Sequence, residues 1–157
     1  MKVAATHSVS VSVLRPVLCA LLCICSAHAG ELRAKEEPQR YDGEWDTIVS
    51  CPNFGTALGY SFEFVTLIRQ GVLHGDKGTK GEPGWLQLDG AIPADGRASI
   101  YASGLVGASE DAVGHRPAGT QYGYHIDVEF TETSGQITGK GRRVEGRPCT
   151  VTFRVRK

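Results

Sequence analysis

From Tyr41 to the C-terminus, apolar and polar residues alternate with a period of two, in runs broken by Gly, Pro and Asp. That alternation is the signature of half-buried β-strands. Trp45, Thr47, Val49 and Cys51 share one face of a first strand. Tyr60, Phe62, Phe64, Thr66 and Ile68 share a face of a second, which ends at Gln70-Gly71. A short third strand covers Val72 to Gly75, and a fourth runs from Trp85 through Leu86 and Leu88 to Ile92. Pro93-Ala94-Asp95-Gly96 is a turn, with Pro fixing φ and Gly taking the positive-φ position; Arg97 to Ser103 returns as a fifth strand. Gly104 to Thr120 is irregular, with a helical turn near Ala108 to Val113. Then comes the clearest strand, with Tyr122, Tyr124, Ile126, Val128 and Phe130 inward and Gly123, His125, Asp127 and Glu129 outward. Ser134-Gly135 turns the chain into Gln136 to Val144, Glu145-Gly146 turns it again, and Cys149, Val151, Phe153 and Val155 share a face of the last strand. No segment sustains a helical period, and the 20 glycines suit tight turns and close strand contacts. The fold class is all-β.

The first and last strands carry a register test. If they pair antiparallel with Cys51 opposite Cys149, then Val49 meets Val151, Thr47 meets Phe153 and Trp45 meets Val155 on the cysteine face. On the other face Asp46 meets Arg154 and Glu44 meets Arg156. One register thus sets apolar against apolar inside and acid against base outside, as cross-strand pairs prefer, and a slip of one residue would ruin both sets. A first strand beside the last is how an up-and-down barrel abolishes its edges. The pattern favours a small antiparallel meander barrel of about eight strands over an open sandwich, with the order of the middle strands left open.

The N-terminus changes the cysteine arithmetic. Lys2 and Arg15 precede an apolar stretch from Pro16 to Ala27, which closes with Ala27-His28-Ala29. This is the layout of a signal peptide cut after a small-x-small site, and the apolar part is too short to span a bilayer. Residues 1–29 read as the signal peptide, 30–40 as a charged leader, and 41–157 as a single barrel-like domain. No transmembrane segment is expected in the mature chain. Cys19, Cys23 and Cys25 leave with the signal, so Cys51 and Cys149 remain. An even pair in an exported chain is expected to be bonded, in the periplasm or outside the cell.

Charge adds an asymmetry. Residues 30–135 carry 16 acidic and 8 basic side chains, whereas residues 136–157 carry 7 basic ones against Glu145 alone. Such an end can mark an anionic partner, but the strand register offers an internal match instead, and nothing points to nucleic acid. The stretch from Gly75 to Gly84 has Gly at every third position, too few triplets for a collagen helix. It reads as an ordered Gly-rich hairpin loop in which Pro83-Gly84 aims Trp85. His74, His115 and His125 lie on different elements without the pair spacing of zinc sites; no metal or cofactor is expected. There is no Gly-x-Ser-x-Gly elbow and no Cys–His nucleophile, so no catalytic residue is assigned. If function needed a titrating group, His115 with Glu110 or Asp111 would be the candidate.

The aromatic residues Trp45, Tyr60, Phe62, Phe64, Trp85, Tyr101, Tyr122, Tyr124, Phe130 and Phe153 largely converge inside a barrel. They either fill it or, at a wider mouth, line a pocket for one small apolar ligand. The two long loops would then form a binding rim from Lys77, Lys80, Glu82, Trp85, Glu110, His115, Arg116 and Tyr122. Tyr41-Asp42-Gly43-Glu44-Trp45, Cys51-Pro52, the run from Gly71 through Gly81-Glu82-Pro83-Gly84-Trp85, Leu88-x-Gly90-x-Ile92, Asp95-Gly96 and Arg147-x-Cys149 together resemble a family of uncharacterised small exported β proteins of α-proteobacteria. The resemblance covers roughly Tyr41 to Lys157 and implies a periplasmic or extracellular locale. It carries no site residues. A weaker likeness to avidin and lipocalin barrels rests on Gly-x-Trp and the meander, and fold does not set function. The expectation is a non-enzymatic binding module for a small apolar molecule or a partner protein. The alternative is an inhibitor of a secreted hydrolase, or an envelope structural protein.

Overall fold

Strands that are apolar on one face must bury that face, and eight of them do so here by closing on themselves. The structure, a computed structural model, describes residues 40–157; the expected signal peptide, and the expected charged leader apart from Arg40, lie outside the described residues. The strands are β1 (Gly43–Cys51), β2 (Tyr60–Arg69), β3 (Val72–Lys77), β4 (Leu86–Ala91), β5 (Arg97–Leu105), β6 (Gln121–Thr133), β7 (Gln136–Arg143) and β8 (Thr150–Val155). Each pairs antiparallel with the next, and β8 returns to β1 to close the barrel.

The closing register is the one the sequence predicts: Val49 faces Val151, Thr47 faces Phe153, Asp46 faces Arg154 and Trp45 faces Val155. The Arg156 amide donates to the Glu44 carbonyl at 3.0 Å and continues the same ladder. Two details differ. Asp46 pairs diagonally, with Arg156 at 3.6 Å, because that guanidinium bridges toward Glu44 as well. Val155, expected inside, is exposed, although its cross-strand partner Trp45 is buried. Cys51 and Cys149 are disulfide-bonded, with Cα atoms 4.2 Å apart across 98 residues of chain.

Several boundaries lie further out than the sequence suggests. β3 runs on to Lys77 because Asp76 and Lys77 pair with Gln87 and Leu86. β5 includes Gly104, which looks like the start of a loop. A Cβ there would lie 2.4 Å from the Trp85 carbonyl and 2.6 Å from the Tyr122 hydroxyl. The glycine belongs to the strand because a phenol ring lies across it. The irregular segment is correspondingly shorter and holds one 3-10 turn, Ser109–Asp111. The Gln70-Gly71 and Ser134-Gly135 hairpins both place two successive residues at positive φ, the form that matches the right-handed twist of the flanking strands.

The interior divides into two ends. At one, Tyr41, Trp45, Phe130 and Phe153 pack ring against ring at centroid distances of 5.3–5.4 Å, and the Trp45 indole donates to the Tyr41 carbonyl at 3.0 Å. Gly139 gives these rings room, since a Cβ there would sit 2.8 Å from Phe130 and 3.0 Å from Phe153. The middle is filled by Val49, Ile68, Leu73, Leu88, Ile100, Ile126 and Val151. There the buried Thr47 and Thr66 hydroxyls satisfy each other at 2.8 Å. The opposite end, where the disulfide lies, is not filled.

Candidate functional site

Inward positions at the disulfide end carry long, ringed or cationic side chains that do not interlock. Alternation along β2 sends Tyr60 and Phe62 inward, β3 supplies Lys77, β6 supplies Tyr122 and Tyr124, and β7 ends on Arg143. With Arg147 and the segment Leu105 to Arg116 they surround a cavity of about 190 Å3. An eight-stranded barrel is just wide enough to hold its own side chains or one small ligand. Here the first outcome holds at the closed end and the second at the mouth.

The walls are organised by ring and cation stacking. Tyr60 stacks on Phe62 at 5.4 Å and Tyr122 on Tyr124 at 6.0 Å. Lys77 Nζ lies 4.8 Å from the Phe62 ring centre, the Arg143 guanidinium 4.1 Å from Tyr124, and that of Arg147 4.8 Å from Tyr60. Lys77 also donates to the Gly84 carbonyl at 3.1 Å, which ties the Gly-rich loop to the wall. None of Lys77, Arg116, Arg143 and Arg147 has a carboxylate within ion-pairing distance among the described residues. Asp111 is the one carboxylate that lines the cavity.

Arg147 holds the lid. It is buried, and it donates to the Pro52 and Asp111 carbonyls at 2.7 Å each, to the Leu58 carbonyl, and at 3.5 Å to that of Cys51. The 3-10 turn is thereby pinned to the loop after β1, and the Leu58 amide completes the tie by donating to the Glu110 carbonyl at 2.8 Å. The other side of the segment is anchored by the Gly84 amide on the Leu105 carbonyl at 3.0 Å. The two long loops therefore meet at one barrel end, as a rim requires.

Burial sets the protonation of the wall. Loss of water pushes the Tyr124 phenol up to about 12, with Tyr60 raising it further and Arg143 pulling back. Tyr122 and Tyr60 are raised for the same first reason, desolvation. None of the three hydroxyls makes a hydrogen bond within the described residues, and each stays protonated, able to donate and to accept.

Of the expected rim, Lys77, Arg116 and Tyr122 line the cavity. Lys80 lies 5.7 Å over the Trp85 ring, whose indole donates to Asp76 at 2.9 Å on the outside of β3. Glu82, Glu110 and His115 are exposed and off the wall. Trp85 and Tyr101, expected to point inward, do not: Tyr101 packs on His125 at 5.1 Å outside the barrel. Its hydroxyl covers Gly123 there. His115 makes no side-chain hydrogen bond or ion pair with Glu110, Asp111 or any other described residue. Among the described residues, no group of three or more His, Cys, Asp or Glu is placed to hold a metal, and no helix is long and apolar enough to cross a membrane. Arg143 and Arg147 were not anticipated. Parity could have found the first: Ile137, Gly139, Gly141 and Arg143 fall on the inward side of β7 once Phe130 is set opposite Gly139. No family model, curated protein or solved structure matches the chain.

Proposed function

We propose that this is an exported binding module that seats one small ligand in the open mouth of its barrel and does not transform it. The observation that carries the reading is the contrast between the two ends: one is packed solid with rings, and the other keeps a ring-lined cavity under a tied-down loop. Pockets for small molecules have this build, apolar walls with a few convergent polar groups. The intrachain disulfide and the N-terminal signal pattern support an oxidising compartment, the periplasm or the cell exterior.

The test is ligand-observed NMR with a set of single-ring fragments on the wild type and on Ala108→Trp, which plugs the cavity from the lid. Fragments should bind the first and not the second, with the barrel intact in both by circular dichroism. Binding that survives the plug would overturn the reading. A stoichiometric protein partner, captured equally by wild type and plugged variant, would favour the inhibitor or envelope alternative instead.

A further inference from the structure

The cavity is too cationic for a purely apolar guest. Building on the mouth-cavity reading, we propose that its ligand class is a small aromatic carboxylate, with the ring between the aromatic walls and the carboxylate at Arg143 and the tyrosine hydroxyls.

Size comes first. A dry cavity of roughly 150 Å3 admits a benzene ring, and this one, at about 190 Å3, has room for one ring and a short polar group. The apolar lining is there to receive it: Phe62, Leu105, Val106, Ala112 and Val113.

The charge is the second argument. Lys77, Arg116, Arg143 and Arg147 converge on one small space against Asp111 alone, and none is neutralised by an ion pair. Arg147 is satisfied by backbone carbonyls, and Lys77 by one carbonyl and a ring. Arg143 is not. Its Nε is buried and has no hydrogen-bond partner among the described residues. An orphaned buried donor, even on a half-buried cation, is costly, and proteins leave few such groups without a reason. The guanidinium lies over the Tyr124 ring at 4.1 Å, and the terminal N–H groups of such a cation can give a carboxylate two parallel bonds.

The hydroxyls are the third. Burial keeps Tyr60, Tyr122 and Tyr124 protonated well above neutral pH, so near neutrality they are donors that favour an anion. The hydroxyls can donate to an ionised carboxylate, an acceptor-only group, alongside the cationic side chains of the lining.

The experiment titrates benzoate, benzyl alcohol and acetate into wild type, Arg143→Met, Arg116→Met and Ala108→Trp, with folding checked by circular dichroism. Benzoate should bind wild type at least about tenfold more tightly than benzyl alcohol or acetate, from one charged hydrogen-bonded pair added to the ring. Arg143→Met should remove that tenfold for benzoate and leave benzyl alcohol within about twofold. Arg116→Met, on an exposed side chain that the fold does not need, should weaken benzoate by about threefold. Benzyl alcohol binding as tightly as benzoate, or benzoate indifferent to both arginine variants, would overturn the carboxylate assignment. If both rings bind equally and Ala108→Trp abolishes both, the cavity reading stands while the charge inference falls. If benzoate binds Ala108→Trp undiminished, the cavity reading falls as well.

Discussion

Arg147 tests whether the lid is held as described. It is a buried cation without a buried counter-ion, and its stabilisation comes from three backbone carbonyls on two segments, the loop after β1 and the 3-10 turn. Arg147→Met keeps much of the volume and removes every donor. Three well-made bonds disappear, those to Pro52, Asp111 and Leu58, while the 3.5 Å contact to Cys51 is weak. A carbonyl left dry and unpaired costs about 1–3 kcal/mol. Water entering from the cavity lowers that figure, and relief of the desolvated charge offsets part of it. We expect a net loss of about 3 kcal/mol, a fall of about 10 °C in melting temperature for a domain of this size. Arg147→Lys should lose about 2 kcal/mol, because one ammonium cannot reproduce the spread of a guanidinium over three carbonyls. Urea unfolding with the disulfide intact gives the stability. Hydrogen exchange then locates the loss: the Leu58 amide, bonded to Glu110 across the gap, should lose more protection than the amides pairing β1 with β8. A stability change below about 0.5 kcal/mol, or unaltered protection at Leu58, would refute the idea that Arg147 ties the lid.

Replacing Cys51 and Cys149 by Ser should cost about 4 kcal/mol in urea unfolding, because the bond closes a loop across 98 residues; a loss below about 1 kcal/mol would contradict it. His74 is bracketed by Asp89 at 2.7 Å and Asp76 at 2.9 Å, and the Asp89 bond leads in raising its pKa above the usual 6.5. The stability it adds is full below pH 6.5 and is lost as pH rises through the raised value, by less than about 1 kcal/mol since the ring is exposed. NMR titration should show Asp89→Asn lowering that pKa, and an unmoved midpoint would refute the assignment. Gly139→Ala should cost about 1–3 kcal/mol by thermal melting, as the methyl would press on Phe130 and Phe153; a neutral result would mean the closed end is loosely packed.

The barrel was legible because three independent signals agreed on one register. Alternation fixed which side of each strand faces in, the cysteines fixed which residues oppose, and the outer charges fell into line with both. Strand ends were less legible, because glycine carries two meanings. Gly104 looks like a chain break, yet it sits in a strand beneath a tyrosine, as Gly123 does. The site was half legible. Lys77, Arg116 and Tyr122 were placed on the rim because the loops are long and polar. Trp85 and Tyr101 were placed inside because rings are usually buried, and parity on β5, where Ala98, Ile100 and Ala102 are the buried set, overrules that habit for Tyr101. Arg147 was invisible for another reason: its partners are main-chain carbonyls, and those leave no trace in the residue pattern.

The basic C-terminal stretch links the fold to the proposed function. Its outward members are used within the sheet: Arg142 opposes Asp127, Lys140 opposes Glu129, and Arg156 reaches Glu44 and Asp46. Exposed pairs of this kind add little stability, at most about 1 kcal/mol each, so their value is in holding register. The same stretch then sends Arg143 and Arg147 to the other side of the wall, where neither forms an ion pair among the described residues. A charge excess spread over the surface would concern solubility alone. Two guanidinium groups turned into a ring-lined cavity concern what enters it. The asymmetry thus has two parts, one matched across the sheet and one at the cavity, and the proposed carboxylate would meet Arg143 in the second.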